Sequence, residues 1–298
     1  MANRIIILFF LILAPRLCLA AACCAGGGSS ANLILGDYRW QYSLAFSNKA
    51  ITHDVDSQEV LRKRNKDSQE VIESLKLLSA YQIAPRFQLG VAIEGFRQTY
   101  KTTQKTESST GLASLSFNGS FEFLPEYGYH PWKPRGFIYL SHLLAQAKST
   151  YESDKIYQTD AASDGMNKSS LGLYFFKVFF PVDVAFNAEL SWHHPRKIAG
   201  KSVAKDFSNQ ISISLGHSPK RSSLRYGLDL SRSYQGKTKV DNQYSASKTY
   251  SEFGINLSYL WDQQSFKISY NDQTLIGAPR NTKLGKSLAL SVTRFTYL

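Results

Sequence analysis

The chain has 298 residues, 43% hydrophobic and 13% aromatic, with a formal charge of +12 at pH 7. This length holds one large domain and excludes a second sizeable one. After the first two dozen residues no run of about twenty apolar residues free of charge occurs, which excludes a transmembrane helix in that part.

Residues 1–22 have the pattern of a secretory signal. Arg4 gives a positive start, Ile5 to Ala14 an apolar run, and Ala20-Ala21-Ala22 a small-residue cleavage region. Removing it takes away Arg4 and Arg16 and lowers the formal charge by two, to +10. Residues 23–36 are then expected to form a Gly/Ser-rich tether, built around Ala25 to Ser30. Cys23 and Cys24 open it. Adjacent cysteines bridge each other only with strain, so three fates stand: acylation of Cys23 at a lipoprotein-type junction, ordinary cleavage with free or oxidised thiols, or metal binding.

From residue 37 to 298 the signal is alternation. Tyr38, Trp40, Tyr42, Leu44 and Phe46 interleave with Arg39, Gln41, Ser43 and Ala45, which gives an extended strand one aromatic face and one polar face. The pattern recurs near 37–47, 71–84, 86–98, 112–124, 136–146, 169–180, 183–194, 207–217, 223–234, 250–261, 265–271 and 286–297. The sixth segment departs from it, because Phe175, Phe176, Phe179 and Phe180 make both faces apolar. Long polar links, near 48–70, 99–111, 147–168, 195–206, 235–249 and 272–285, alternate with short ones. The expected fold is therefore all-β: a transmembrane antiparallel up-and-down barrel of about twelve strands, with lipid outside, a polar lumen, and both termini in the periplasm of a Gram-negative cell. The turn from Pro125 to Arg135, with Tyr127, Tyr129 and Trp132, is expected as an aromatic cap at the periplasmic rim. In the first long link Asp56-Ser57-Gln58-Glu59-Val60 recurs as Asp67-Ser68-Gln69-Glu70-Val71, a tandem duplication in a tolerant loop.

Three stretches carry a family resemblance. They are Cys23 to Gly28 with Leu33-Ile34-Leu35-Gly36-Asp37-Tyr38-Arg39, Phe123 to Tyr127 with Trp132 to Phe137, and Ser269 to Gly277 with Arg280-Asn281-Thr282. Together they resemble a little-characterised family of Gram-negative outer-membrane β-barrels, reminiscent of transporters connected with the phenol-degradation (MetA) pathway. The resemblance implies a barrel and a transporter, and brings neither a substrate nor catalytic residues.

The candidate lumen charges are Arg39, Lys76, Glu94, Glu122, Glu189, Arg225, Asp229, Glu252 and Lys267. Mixed signs suit either a salt-bridged plug or a narrow polar path, and about twelve strands fall between packed and open barrels. A largely filled lumen with at most a narrow path is the expectation. Basic residues concentrate in the long links: Arg62, Lys63, Arg64, Arg196, Lys197, Lys201, Lys205, Lys237, Lys239, Arg280 and Lys283. They suit contact with phosphorylated lipopolysaccharide.

Lipid-modifying barrels place Ser and His together on the lipid face. Here Ser141 and His142, like His193 and His194, are sequence neighbours and so point to opposite faces. No metal or phosphate motif occurs, so catalytic residues, cofactors and metals are expected to be none, and nucleic acid is not an expected partner. The functional expectation is a channel or transporter for an unidentified small solute. A structural or surface-interaction barrel acting through its basic loops is the alternative, ahead of a lipid-modifying enzyme. Outer-membrane lipids and the barrel-assembly machinery are the expected partners, the latter through the aromatic final strand ending Arg294-Phe295-Thr296-Tyr297-Leu298.

Overall fold

Alternation sets the architecture. Trp40, Tyr42, Leu44 and Phe46 stand exposed while the residues between them turn inward, and the same happens strand after strand. A computed structural model describes residues 32–297 except 163, 221 and 242. The expected signal 1–22, Cys23 and the rest of the expected tether up to residue 31 lie outside the described residues.

The strands run in chain order: β1 (Trp40–Val55), β2 (Leu61–Lys63), β3 (Gln69–Ala84), β4 (Phe87–Lys101), β5 (Thr106–Leu124), β6 (Arg135–Ala145), β7 (Lys168–Phe179), β8 (Val182–His193), β9 (Arg196–Ile198), β10 (Lys201–Lys205), β11 (Ser208–His217), β12 (Leu224–Gln235), β13 (Thr238–Val240), β14 (Gln243–Tyr244), β15 (Lys248–Trp261), β16 (Gln264–Asp272) and β17 (Thr282–Thr296). Among the described residues there is no helix. Twelve of these strands form one antiparallel sheet in the order β17-β16-β15-β12-β11-β8-β7-β6-β5-β4-β3-β1. The sheet closes on itself where β1 pairs with β17, from Trp40 opposite Thr296 to Val55 opposite Thr282. Closure leaves no sheet edge, so every ladder group along a strand finds a partner without water. The fold is an all-β, closed, twelve-stranded antiparallel barrel.

Barrel strands run from nine residues in β16 to nineteen in β5, whereas about 9–11 cross a membrane. The surplus stands at the end opposite the termini, here called the loop end. The expected long link at 99–111 is instead the top of the β4–β5 hairpin, closed by a four-residue turn in which Thr102 N–H donates to Lys105 O at 2.8 Å. At the same end β14-β13-β10-β9 make a separate four-stranded sheet over a small core of Met166, Ile198 and Val203.

At the other rim, the terminal end, the turns are short except for 125–134. That turn folds against the outside of β7: Lys177 is buried beneath it and bonds Glu126 and the His130 carbonyl, with its ammonium 4.8 Å from the Tyr129 ring. Tyr127, Tyr129 and Trp132 remain exposed there. Tyr38 departs from the alternation expected of it. The strand starts only at Trp40, and Tyr38 turns inward to stack on Phe295, ring centroids 4.6 Å apart.

Candidate functional site

The lumen is where inward side chains of the twelve barrel strands converge. The first described residues enter it from the terminal end. Leu33 and Leu35 pack with Phe137 and Tyr139 of β6, Tyr174 and Phe176 of β7 and Ala185 of β8. Ile34, between them, points the other way, into Tyr38, Ala80 and Phe295. Alternation inside the plug thus mirrors alternation in the wall. Gln88 of β4 clamps its backbone: Ile34 N–H donates to Oε1 at 2.8 Å, and Nε2 donates to Ile34 O at 2.9 Å. Gln41 Nε2 donates to Asn32 Oδ1 at 3.2 Å, and Arg135 donates to Leu35 O. So the expected tether at 23–36 ends in a packed element at 32–35, because three consecutive apolar side chains find apolar wall on both sides. The same contacts explain the sixth alternating segment. Inward Tyr174 and Phe176 face Leu33 and Leu35 rather than water, so β7 is apolar on both faces.

Beside the plug lies a polar wall. Arg225 of β12 reaches over β11 to Asp183 of β8 with two hydrogen bonds of 2.8 and 2.6 Å. Gly216 makes this possible, since a Cβ there would lie 2.2 Å from the guanidinium. Asn256 joins the group by donating to Asp229 Oδ2 at 2.7 Å, and Ser214 donates to Asp229 Oδ1 at 2.5 Å. In the middle of β6–β8, the Tyr139 hydroxyl lies 2.9 Å from both Asn187 Oδ1 and Glu189 Oε2. Gly172 gives that ring its place. Arg135 and Glu122 pair at 2.7 Å. Charge taken out of water is retained only when paired and hydrogen-bonded, and these groups meet that condition.

The loop end is ionic. Buried Glu70 accepts from Arg64 Nη1 at 2.5 Å, Lys283 Nζ at 3.0 Å and Gln98 Nε2 at 3.0 Å, while Arg64 also holds Asp54 at 2.7 and 2.8 Å. Asp272 pairs with Lys286 at 3.0 Å, and Gln273 Nε2 donates to Glu252 Oε2 at 2.8 Å. Lys205, almost wholly buried, pairs with Asp164. Partial desolvation would raise the half-exposed Asp164 carboxyl, yet Lys205 beside it holds it below the usual carboxylate range.

Of the residues singled out from sequence, Glu122, Glu189, Arg225 and Asp229 lie in the networks just described, and Glu252 at the loop end. Lys76 and Glu94 stand opposite each other on β3 and β4, facing inward, as does Lys267 on β16. Arg39 does not: it precedes β1 and is exposed at the rim, because the chain turns there to carry Tyr38 into the lumen. Sequence reasoning missed Asp183 and Glu70, whose partners Arg225 and Lys283 stand on non-adjacent strands, and Asp272, which pairs with Lys286 directly opposite on β17. Of the loop cations, Arg64 and Lys205 are buried in ion pairs and Lys283 pairs with Glu70 from an exposed position, whereas Lys63, Lys197, Lys201 and Lys237 stay exposed. Cys23 lies outside the described residues.

No protein-family model matches this chain, and no curated protein does. Among solved structures it is similar to an outer-membrane channel from Pseudomonas putida F1, with a TM-score of 0.69 and 11% identity, over 91% of this chain and 100% of that one. It is also similar to the β domain of the Bordetella autotransporter BrkA, with a TM-score of 0.50 and 10% identity, over 87% of this chain and 100% of that one. Both likenesses are of fold.

Proposed function

We propose that this protein is an outer-membrane channel for a small solute, closed at rest by its own residues 32–35. The observation that carries this is the seating of Leu33, Ile34 and Leu35 across the terminal half of a closed barrel. Burying three such side chains is worth about 1.5–3 kcal/mol each, and each hydrogen bond about 0.5–1.5 kcal/mol. Ordering the backbone costs about 1–2 kcal/mol per residue over roughly six residues. The two sides come within a few kcal/mol of each other, so the plug is displaceable. The likeness to the Pseudomonas channel supports the reading at the level of fold. The family resemblance of residues 123–137 and 269–282 makes small phenolic solutes the first cargo to test.

With the reading go an export signal at 1–22, both termini in the periplasm, assembly through the final strand, and lipopolysaccharide contact through the exposed loop lysines. Acylation of Cys23 is the fate we favour for the junction; incorporation of labelled fatty acid, lost in Cys23→Ser, tests it. Orientation is tested by an impermeant thiol reagent on intact cells. A cysteine at Tyr244 reacts above the parent chain, and one at Asp262 reacts only after the outer membrane is breached. The reverse pattern inverts the topology.

A second reading has its own observation. The small outer sheet over Met166, Ile198 and Val203 gives the loops a fixed shape, which suits a surface-interaction barrel. Solute flux separates the two. Proteoliposomes holding the barrel admit phenol-sized solutes faster than empty ones if it is a channel, and at the same rate if it acts only through its loops.

A further inference from the structure

On the outer wall near the loop end, three strands bring a serine and two histidines together. His142 is on β6, Ser169 is second on β7 and His194 directly follows β8. All three share the outward parity of Leu140, Leu171 and Trp192, which are exposed just below them. His142 Nδ1 lies 2.9 Å and His194 Nε2 2.8 Å from Ser169 Oγ, and the two imidazole centroids are 5.5 Å apart. A hydroxyl carries one proton. Between two ring nitrogens it therefore donates to one and accepts from the N–H of the other, which sets complementary tautomers. Asn167, two residues before Ser169, lies opposite His194: its carbonyl accepts His194 N–H at 2.9 Å, and its Oδ1 accepts Ala145 N–H at 3.1 Å. That leaves its Nδ2 as the donor it can offer to a developing negative charge.

We propose that Ser169 is the nucleophile of a hydrolase acting on acyl esters of membrane lipids, at a site on the outside of the barrel and independent of the lumen. Adjacent strand residues point apart, but cross-strand register puts outward histidines from β6 and β8 on either side of the serine. One imidazole takes the Ser169 proton as Oγ bonds to the ester carbonyl carbon. The tetrahedral adduct then collapses, the lipid alcohol leaves with that proton, and the acyl group stays on Oγ. Water attacks the acyl-serine, gives its proton to the same imidazole, and releases the fatty acid with the serine restored. Asn167 supplies the donor for the oxyanion. The apolar neighbours Leu140, Leu171 and Trp192 bring acyl chains to the serine from the bilayer itself.

The test uses the full-length barrel in phosphatidylethanolamine vesicles and, separately, with purified lipopolysaccharide. Folding is checked by the heat-dependent shift of its electrophoretic mobility. A fluorophosphonate probe is expected to label wild type and Ser170→Ala, whose serine faces inward against Ser191, but not Ser169→Ala. Fatty-acid release should fall at least about 100-fold in Ser169→Ala and in whichever of His142→Phe and His194→Phe removes the base. Release from the vesicles marks phospholipid as the source, and release from lipopolysaccharide marks its acyl chains. A folded wild-type barrel that takes no probe and frees no fatty acid from either overturns the proposal, as does undiminished release in Ser169→Ala.

Discussion

At the terminal end of the lumen, Leu33, Ile34 and Leu35 fill the space and meet Phe137, Tyr174 and Phe295; at the loop end, Glu70 holds Arg64 and Lys283. The two fillings have different physical properties. Apolar packing carries no charge for salt to screen. The Lys283–Glu70 pair, with its ammonium facing solvent, is screened and weakens with ionic strength, whereas the buried Arg64–Glu70 pair is screened far less. On the channel reading proposed above, a solute would meet an ionic region at the loop end and the apolar plug at the terminal end.

The largest effect expected of a single substitution is at the paired wall beside the plug. Arg225→Ala leaves Asp183 buried and uncompensated, and should cost about 3–5 kcal/mol in urea unfolding from lipid. Replacing both partners by apolar residues of similar size should recover most of that loss; failure to recover would mean the pair is needed for more than charge balance. Next comes the outer wall. Ile268→Arg should cost about 2–4 kcal/mol near the bilayer midplane, while Ser269→Arg, facing the lumen where the wall is only partly buried, should assemble with a smaller loss. Equal effects would break the facing of β16.

Weaker still is the loop end. Lys283 is 55% exposed as it touches Glu70, so Lys283→Ala should cost no more than about 1 kcal/mol, with the loss fading in high salt. The smallest effect is pH-dependent. Because Asp164 is held below the usual carboxylate range by Lys205, its ion pair contributes fully above the unfolded-state value of about 4. That contribution disappears as pH falls through the lowered folded value. Protease cutting within 194–207 should therefore rise below about pH 4, and Asp164→Asn should show the higher cutting at neutral pH already.

Much of this fold is written in the sequence as period-two alternation. Leu224, Tyr226, Leu228 and Leu230 face outward on β12, and Ile255, Leu257, Tyr259 and Trp261 do so on β15. The strand tops at 99–111 were illegible because, beyond the membrane, Thr99, Ser108 and Thr110 are polar whichever way they point. The double apolar face of β7 has its cause in residues 33 and 35, well over a hundred positions earlier, which no local window contains. Arg225 finds Asp183 only by crossing Gly216, so that glycine was a signal available in principle, meaningful once the register of β8, β11 and β12 is known. The Ser169 cluster is the same kind of case: its members lie 25 to 27 residues apart, and only strand register makes them neighbours.

The central claim is that residues 32–35 close the barrel, and single-channel recording in planar bilayers tests it most directly. Wild type should show a small conductance or brief openings. The triple variant Leu33→Ser, Ile34→Ser, Leu35→Ser, which keeps the chain length and removes the apolar anchor, should show a several-fold larger and longer-lived conductance. Equal conductance in the two chains, with both barrels folded, would contradict the account.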